Sequence, residues 1–144
     1  MLHLIKLCVG VHDVEELRRW QTERLDALRA GGEAPEIAHV TRQTPRERDK
    51  LLAGGSLYWV IDGLVQVRQK LVDIRPHTAA DGTPKCALVL GHELVDVSPR
   101  PRRPFQGWRY LKPEDTPPDL PPLAPGAAAM PPGMREELAA LGLL

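Results

Sequence analysis

Residues 57–69 read L-Y-W-V-I-D-G-L-V-Q-V-R-Q. The central Asp62-Gly63 dipeptide is favoured in a type I′ turn, because both central residues of that turn adopt positive φ. Runs of aromatic and β-branched residues, which are typical of strands, flank it on both sides. The sequence therefore predicts a β-hairpin whose strands are joined by a two-residue loop.

The two-residue loop also predicts which side chains share a face of the hairpin. It pairs Trp59 with Gln66 and Tyr58 with Val67 in neighbouring strands. One face then collects residues that suit a core, namely Tyr58, Val60, Val65 and Val67. The opposite face is polar and aromatic, and we expect it to expose Trp59, Gln66 and Arg68.

A strand and a capped helix are predicted before the hairpin. Residues 2–11 form a short apolar run that indicates a first strand. Asp13 followed three residues later by Glu16 matches a capping box, and Gly31-Gly32 ends the helix. The helical spacing places five side chains on one stripe that faces the core, which are Val14, Leu17, Gln21, Leu25 and Leu28.

A second strand and a short helix follow. Residues 36–43 read as a strand, and Thr44-Pro45-Arg46-Glu47 has the Thr cap, the early Pro and the Glu of a helix start. That helix ends at Gly54-Gly55. The junction with Ser56 has two interpretations: a helix C-cap, or a glycine turn whose free N–H groups cradle a phosphate.

The second half of the chain predicts further strands over residues 86–90, 94–97 and 108–111. The order strand, helix, strand, helix and then consecutive strands indicates an α+β fold. We expect a curved, mostly antiparallel sheet or a small open barrel with two main helices. Residues 1–112 form one domain in this interpretation, and residues 113–144 form a Pro-rich C-terminal arm that ends in a short helix over 135–144.

Composition restricts the function. The chain has 144 residues and a formal net charge of zero, so the whole molecule is not steered towards nucleic acid or an anionic membrane. It contains no run of about 18 apolar residues and no signal-peptide pattern, which argues against a membrane partner. Cys8 and Cys86 lie in apolar contexts and indicate buried thiols in a reducing compartment. We therefore expect a cytoplasmic protein.

Catalytic and cofactor motifs are absent from the sequence. The five histidines stand singly, without the spacing of a metal site. No nucleophile elbow, Walker A motif or dinucleotide-binding fingerprint occurs. We therefore predict no metal and no cofactor.

A cluster of arginines and aromatics is the strongest functional signal. Residues 98–111 contain four Arg and three aromatic side chains. Guanidinium groups beside aromatic rings suit RNA, a nucleotide or another anionic planar ligand. Rings would stack on the ligand while cations and amides hold phosphate or a base edge. The candidate ligand-binding residues are Arg42, Trp59, Gln66, Arg68, Arg102, Arg103, Trp108 and Arg109.

Three alternatives compete with this binding surface. Trp59 and Trp108 can instead fill the core or a dimer interface, with the arginines paired to carboxylates. A second possibility is an enzyme acting on a small phosphorylated or nucleoside substrate, in which His39 or His92 meets Tyr58 or a carboxylate in a cleft. A third is a structural or interaction protein that forms a homodimer through the C-terminal arm.

Several long motifs resemble those of a known family. They are H-V-T-R-Q-T-P-R-E-R at 39–48, where Glu47 replaces an expected Arg, G-G-S-L-Y-W-V-I at 54–61, V-R-Q at 67–69 and R-P-R-R-P-F-Q-G-W-R-Y-L at 100–111. In this order, over nearly the full chain, they resemble an uncharacterised alphaproteobacterial family, the domain of unknown function numbered 1489. That family carries no established activity, so the resemblance implies kinship and no mechanism.

A second likeness concerns the fold alone. A short helix that ends in Gly-Gly, an aromatic strand with W-V-I and a strand with V-R-Q are similar to the layout of PUA-like barrels such as the ASCH and EVE domains. Those domains bind RNA or modified bases, often in a pocket between a helix and the barrel. The resemblance implies a similar pocket here, although a shared fold does not determine function.

Overall fold

The computed structural model describes residues 1–121, which contain seven strands, two α-helices and one 3₁₀ turn. In chain order the elements are β1 (His3–Leu7), α1 (Val14–Ala30), β2 (Ile37–Thr41), α2 (Arg48–Leu52), β3 (Ser56–Ile61), β4 (Leu64–Thr78), β5 (Pro84–Leu90), β6 (Val95–Pro101), β7 (Trp108–Leu111) and the 3₁₀ turn Pro113–Asp115.

The strands form one open sheet in the order β2-β5-β4-β3-β1-β7, and β6 also pairs with β4. The long strand β4 is shared: its first half pairs with β3 and β6, and from Leu71 onwards it pairs with β5. All pairings are antiparallel except that of β1 with β3. The predicted α+β fold with a mostly antiparallel, open sheet and two helices is confirmed.

The two ends of this sheet approach each other. Trp108 on β7 donates its indole N–H to the carbonyl of Gln43, two residues beyond β2, at 2.7 Å. The hydroxyl of Tyr110, also on β7, accepts the N–H of Arg46 at 2.8 Å. The sheet therefore curves until its end strands face one another, but β2 and β7 are not paired as strands.

The hairpin contains a β-bulge that the sequence did not predict. Asp62 and Gly63 have φ of 52° and 77°, as the type I′ turn requires. Val60 pairs with Val65, but Trp59 pairs with Val67, which leaves Gln66 as an extra residue in β4. The predicted register is therefore correct for the first two residue pairs after the turn. The predicted pairing of Trp59 with Gln66 is wrong.

The bulge changes the predicted faces only beyond it: Tyr58, Val60 and Val65 share one face as predicted, whereas Val67 moves to the face of Trp59. An extra residue shifts the alternation of side chains in one strand relative to its partner. The predicted exposed face of Trp59, Gln66 and Arg68 is wrong, because α1 covers the face that carries Trp59 and Val67, and Trp59 is only 3% exposed. The other side of the sheet carries a separate core cluster, formed by Ile5, Tyr58, Val60, Val65, Val97 and Leu111.

Helix α1 forms as its sequence predicts. The Asp13 carboxylate accepts the N–H of Glu16 at 2.8 Å, and the N–H of Gly31 donates to Ala27 at the other end. This cap satisfies one of the backbone donors that a helix N-terminus leaves unpaired. The predicted stripe is buried or half-buried along its length, over Val14, Leu17, Gln21, Leu25 and Leu28.

Helix α2 begins three residues later than predicted, at Arg48 instead of Pro45. Thr44 is exposed and caps nothing in the helix. The backbone N–H groups of Arg46 and Glu47 instead donate to the hydroxyl of Tyr110, at 2.8 and 3.3 Å. A distant tyrosine thus satisfies the donors that a capping box would have satisfied locally, and the segment stays non-helical.

The end of α2 matches the C-cap interpretation. Gly54 has a φ of +99°, and the N–H of Gly55 donates to the Leu51 carbonyl at 2.9 Å. The carbonyl of Gly55 in turn accepts the N–H of Leu71 at 2.9 Å. Because the Gly55 N–H is occupied, the phosphate-cradle interpretation of this junction is wrong.

The start of the C-terminal arm folds back along β6. The N–H of Ser98 donates to the backbone carbonyl of Pro118, and the N–H of Leu120 donates to the backbone carbonyl of Asp96. Asp119 forms an antiparallel β-bridge with Val97. This segment covers the outer edge of β6. The predicted helix over 135–144 and the rest of the arm lie outside the described residues, and the domain boundary at 112 stays a prediction.

Substituting Gly55 by Ala tests the tight packing at this junction. A Cβ at Gly55 would overlap the backbone oxygens of Leu2 and Leu51, neither of which can rotate away. We expect Gly55→Ala to lower the free energy of unfolding by about 2–3 kcal/mol in urea titrations. Gly31→Ala is the matched control, since its Cβ would meet nothing closer than 3.5 Å. Equal effects of the two substitutions would contradict the packing argument.

Candidate functional site

Two concavities meet in the gap between the ends of the sheet. The inner pocket has a volume of about 280 Å³ and lies between α1, β1 and β2, with walls that include Lys6, Leu17, Gln21, Ile37, His39 and Trp59. The outer groove has a volume of about 680 Å³ and lies between β1, β2 and β7, with walls that include Lys6, Arg42, Lys85, Phe105, Trp108 and Arg109. Lys6, Leu7 and Val9 line both, so the two concavities adjoin.

An aromatic pair forms one wall of the inner pocket. The His39 ring stands edge-on to Trp59, with centroids 5.1 Å apart and an angle of 88° between the ring planes. The Trp59 indole N–H donates to the Gln69 side-chain oxygen at 2.9 Å. The indole is therefore held both by ring packing and by a buried hydrogen bond.

Gln69 is the centre of a buried amide network. Its side chain is fully buried, and it exchanges two hydrogen bonds with the Gln21 amide, at 2.9 and 2.8 Å. Its NH₂ group also donates to the Gly91 carbonyl at 2.9 Å. With the bond from Trp59, both the oxygen and the NH₂ group of Gln69 are satisfied, so the network orients Trp59 and Gln21 at the pocket.

The pKa values of the titratable groups in the inner pocket are shifted in the directions that favour the neutral forms. Burial, aided by the charge of Lys6, lowers the pKa of His39 to about 4. Burial also lowers the pKa of Lys6 itself and raises the pKa of the Cys8 thiol to about 11, where Glu16 adds to the effect. At neutral pH the imidazole and the thiol are uncharged, so Cys8 is not an activated nucleophile.

The outer groove is cationic. Lys6, Arg42, Lys85 and Arg109 contribute to its walls, and none of its described lining residues is an Asp or a Glu. A concave surface with charges of one sign concentrates its field on the enclosed volume. The groove therefore favours an anion even though the chain as a whole has no net charge.

Phe105 contacts two arginines, of which Arg109 lines the groove and Arg102 lies outside its walls. The guanidinium carbons of Arg102 and Arg109 lie 5.1 and 5.3 Å from the centre of its ring. Arg109 also donates to the backbone carbonyl of Gln106 at 2.7 Å. These contacts restrict both side chains before any ligand binds.

The structure brings together half of the predicted site residues. Arg42, Trp108 and Arg109 line the outer groove, and Trp59 lines the inner pocket as a buried wall. Arg102 reaches the groove edge through Phe105. Part of the Arg-rich segment thus lines the outer groove.

The remaining predicted residues lie elsewhere. Gln66 is buried in the bulge, where its NH₂ group donates to the Ile61 carbonyl at 2.7 Å. Arg68 makes a bidentate ion pair with Asp119, at 2.8 and 2.7 Å, and lines neither concavity. Arg103 is exposed and lines neither concavity.

Sequence reasoning missed Lys6, Lys85 and the Gln21–Gln69 pair. Two signals in the sequence could have revealed Lys6 and Gln21. Lys6 is a charged residue inside the apolar run of residues 2–11, and Gln21 interrupts the apolar stripe of α1. Polar residues in apolar patterns often mark a functional or buried-network position, because burying them otherwise costs free energy.

The geometry does not provide the acid–base pair of the enzyme alternative within residues 1–121. His39 lines the inner pocket, whose described walls contain neither a carboxylate nor Tyr58. Tyr58 lies on the other side of the sheet, with its ring centre 5.3 Å from that of His3, and His92 is exposed.

No group of three or more His, Cys, Asp or Glu side chains in the described chain could hold a metal ion. No helix within residues 1–121 is long and apolar enough to cross a membrane.

Comparison with known proteins identifies a family. The family model described as "Protein of unknown function (DUF1489)" matches residues 4–144. Since the match covers nearly the whole chain, the chain belongs to this family, as the sequence motifs indicated. Neither the curated proteins nor the solved structures contain a significant match.

Replacing Gln69 tests the buried amide network. Gln69→Met keeps the approximate side-chain volume but leaves the Trp59 N–H and the Gly91 carbonyl without their partner. We expect a loss of about 2–3 kcal/mol of unfolding free energy in urea titrations, because buried polar groups would be left unsatisfied. Gln106→Met, at an exposed position, should change stability by less than about 0.5 kcal/mol. Similar values for both variants would show that the network is not stabilising.

The low pKa of His39 makes stability depend on pH. In the unfolded chain the imidazole titrates near its ordinary pKa of 6.5, whereas in the fold the pKa is about 4. Between these values the unfolded chain binds a proton that the native state does not, so stability falls as the pH decreases from 6.5 to 4. We expect His39→Phe to flatten this part of the curve in urea unfolding at several pH values. Parallel curves for this variant and the unmodified protein would contradict the assignment.

Proposed function

We propose that this member of the DUF1489 family binds a nucleotide, either free or as part of single-stranded RNA. The base occupies the inner pocket and the phosphate lies in the outer groove. One observation carries the proposal: an apolar pocket with indole and imidazole walls opens, at Lys6, into a groove with four cationic side chains and no described carboxylate.

The inner pocket has the features of a base-binding site. Aromatic walls offer stacking or edge contacts to a planar ring, and such contacts tolerate any base. The Gln21 amide uses part of its hydrogen-bonding capacity on Gln69, and one N–H and one oxygen lone pair remain beyond those bonds. A positioned amide beside an aromatic wall is a common way to recognise a base edge.

The outer groove has the features of a phosphate site. Arg42 and Arg109 supply planar guanidinium groups, which match the oxygens of a phosphate in a bidentate manner. Lys6 stands between the two concavities and can contact the phosphate of a nucleotide whose base is in the inner pocket. The distribution of charge, rather than its total, therefore supports binding of an anionic ligand.

The hydrogen bond between Trp108 and Gln43 gives the groove a defined shape. It joins β7 to the chain segment that carries Arg42 and so sets the separation of the two walls. Trp108 thus contributes to the site by positioning it, and its half-buried ring also packs edge-on against Tyr110 with centroids 4.8 Å apart.

The expected PUA-like fold agrees with this proposal. We propose that the open sheet has a PUA-like architecture, because it has a pocket against α1, as the resemblance to the ASCH and EVE domains implies. Both cysteines are free thiols, which supports the expected cytoplasmic location.

A titration with the four nucleoside 5′-monophosphates tests the proposal. Tryptophan fluorescence is a suitable signal because Trp20 and Trp59 line the inner pocket and Trp108 lines the groove. We expect saturable binding that weakens as salt increases. The double variant Arg42→Ala/Arg109→Ala should lose about tenfold or more in affinity, since two charge-assisted hydrogen bonds are removed.

The matched control is Arg19→Ala, which removes an exposed arginine from α1 outside both concavities. It should bind like the unmodified protein. The proposal is wrong if none of the four nucleotides binds saturably, or if the control and the double variant lose affinity equally.

A further inference from the structure

Cationic and aromatic side chains continue beyond the space that one nucleotide needs. The outer groove is more than twice as large as the inner pocket, at about 680 against 280 Å³. Its cations come from four different parts of the chain, which are β1, the end of β2, β5 and β7. A groove of this volume, with cations on several elements, has capacity for more than one phosphate group.

The far side of the groove continues this surface. Phe105 lines the groove, and its ring contacts the guanidinium of Arg109 within the groove and that of Arg102 outside its walls. The backbone N–H of Arg102 donates to the Gly63 carbonyl at 2.9 Å, so the hairpin turn anchors this arginine. A row of side chains therefore runs from the inner pocket across the groove to an exposed cation, in the order Lys6, Arg109, Phe105 and Arg102.

The rim of the groove also offers apolar and aromatic surface. Val9 is 83% exposed, Val40 is 41% exposed, and Tyr110 is 40% exposed beside Trp108. Exposed aromatic rings next to cations, such as Tyr110 here, are the arrangement by which proteins bind single-stranded nucleic acid, because unpaired bases stack on the rings while the backbone is neutralised. A free nucleotide would leave this rim unused.

We propose that the natural ligand is single-stranded RNA of several nucleotides, with one base in the inner pocket and the following phosphates along the outer groove to Arg102. This inference rests on the proposed function and adds the ligand class to it. A free nucleoside triphosphate is the competing source of several phosphates, and a comparison of its affinity with that of an oligonucleotide separates the two ligands.

For each of the four bases, the 5′-monophosphate, the 5′-triphosphate and the homotetraribonucleotide are titrated at several salt concentrations. We expect the tetranucleotide to bind about tenfold or more tightly than the monophosphate and more tightly than the triphosphate. The salt dependence should also be steeper for the tetranucleotide than for the monophosphate, because each neutralised phosphate of a single strand adds about 0.7 to the slope.

Arg102→Ala separates the extended site from the nucleotide site. It removes a cation outside both concavities, so it should weaken tetranucleotide binding about three- to tenfold and leave monophosphate binding unchanged. Arg19→Ala is again the control and should change neither. Arg102→Lys keeps the charge but loses the planar stacking on Phe105, and should restore part of the affinity.

Three results would overturn the inference. They are a triphosphate that binds as tightly as the tetranucleotide, an affinity that does not increase with length, or an Arg102→Ala variant that binds the tetranucleotide normally. In each case monophosphate binding that depends on Arg42 and Arg109 would leave the proposed function intact. Absence of binding by every probe would instead remove both proposals.

Discussion

The extra residue at Gln66 is the constraint on which the rest of the structure depends. Because side chains alternate along a strand, one inserted residue turns the following part of β4 over. Val67 and Gln69 then face α1 together with Trp59, and Arg68 faces the opposite side, where it binds Asp119. Both the wall of the inner pocket and the anchoring of the C-terminal segment follow from this single bulge.

The candidate site arises where the sheet does not close. Its end strands approach, and hydrogen bonds from β7 side chains to the segment after β2 hold them at a fixed separation. The gap contains an apolar pocket on the α1 side and a cationic groove on the other. In an open sheet, two edges, which proteins otherwise have to protect, thus become the walls of these two concavities.

Local patterns in the sequence were reliable guides to local structure. The Asp62-Gly63 turn, the Asp13 cap and the strand at residues 108–111 appear as predicted. The bulge could not be predicted in the same way, because a chain can pair with or without an extra residue and the flanking residues suit strands in both registers. The late start of α2 was missed for a similar reason, since Tyr110, far away in the chain, satisfies the backbone donors there.

The sequence by itself determined the class of fold, the family and the region around residues 98–111 where the cationic surface lies. These depend on turn chemistry, capping and composition, which act over a few residues. Only the tertiary structure decided which arginines are available, since Arg68 is bound to Asp119 whereas Arg42 and Arg109 line the groove. The physical reason is that ion pairs and pocket walls form between residues distant in the chain, whose positions depend on register and curvature.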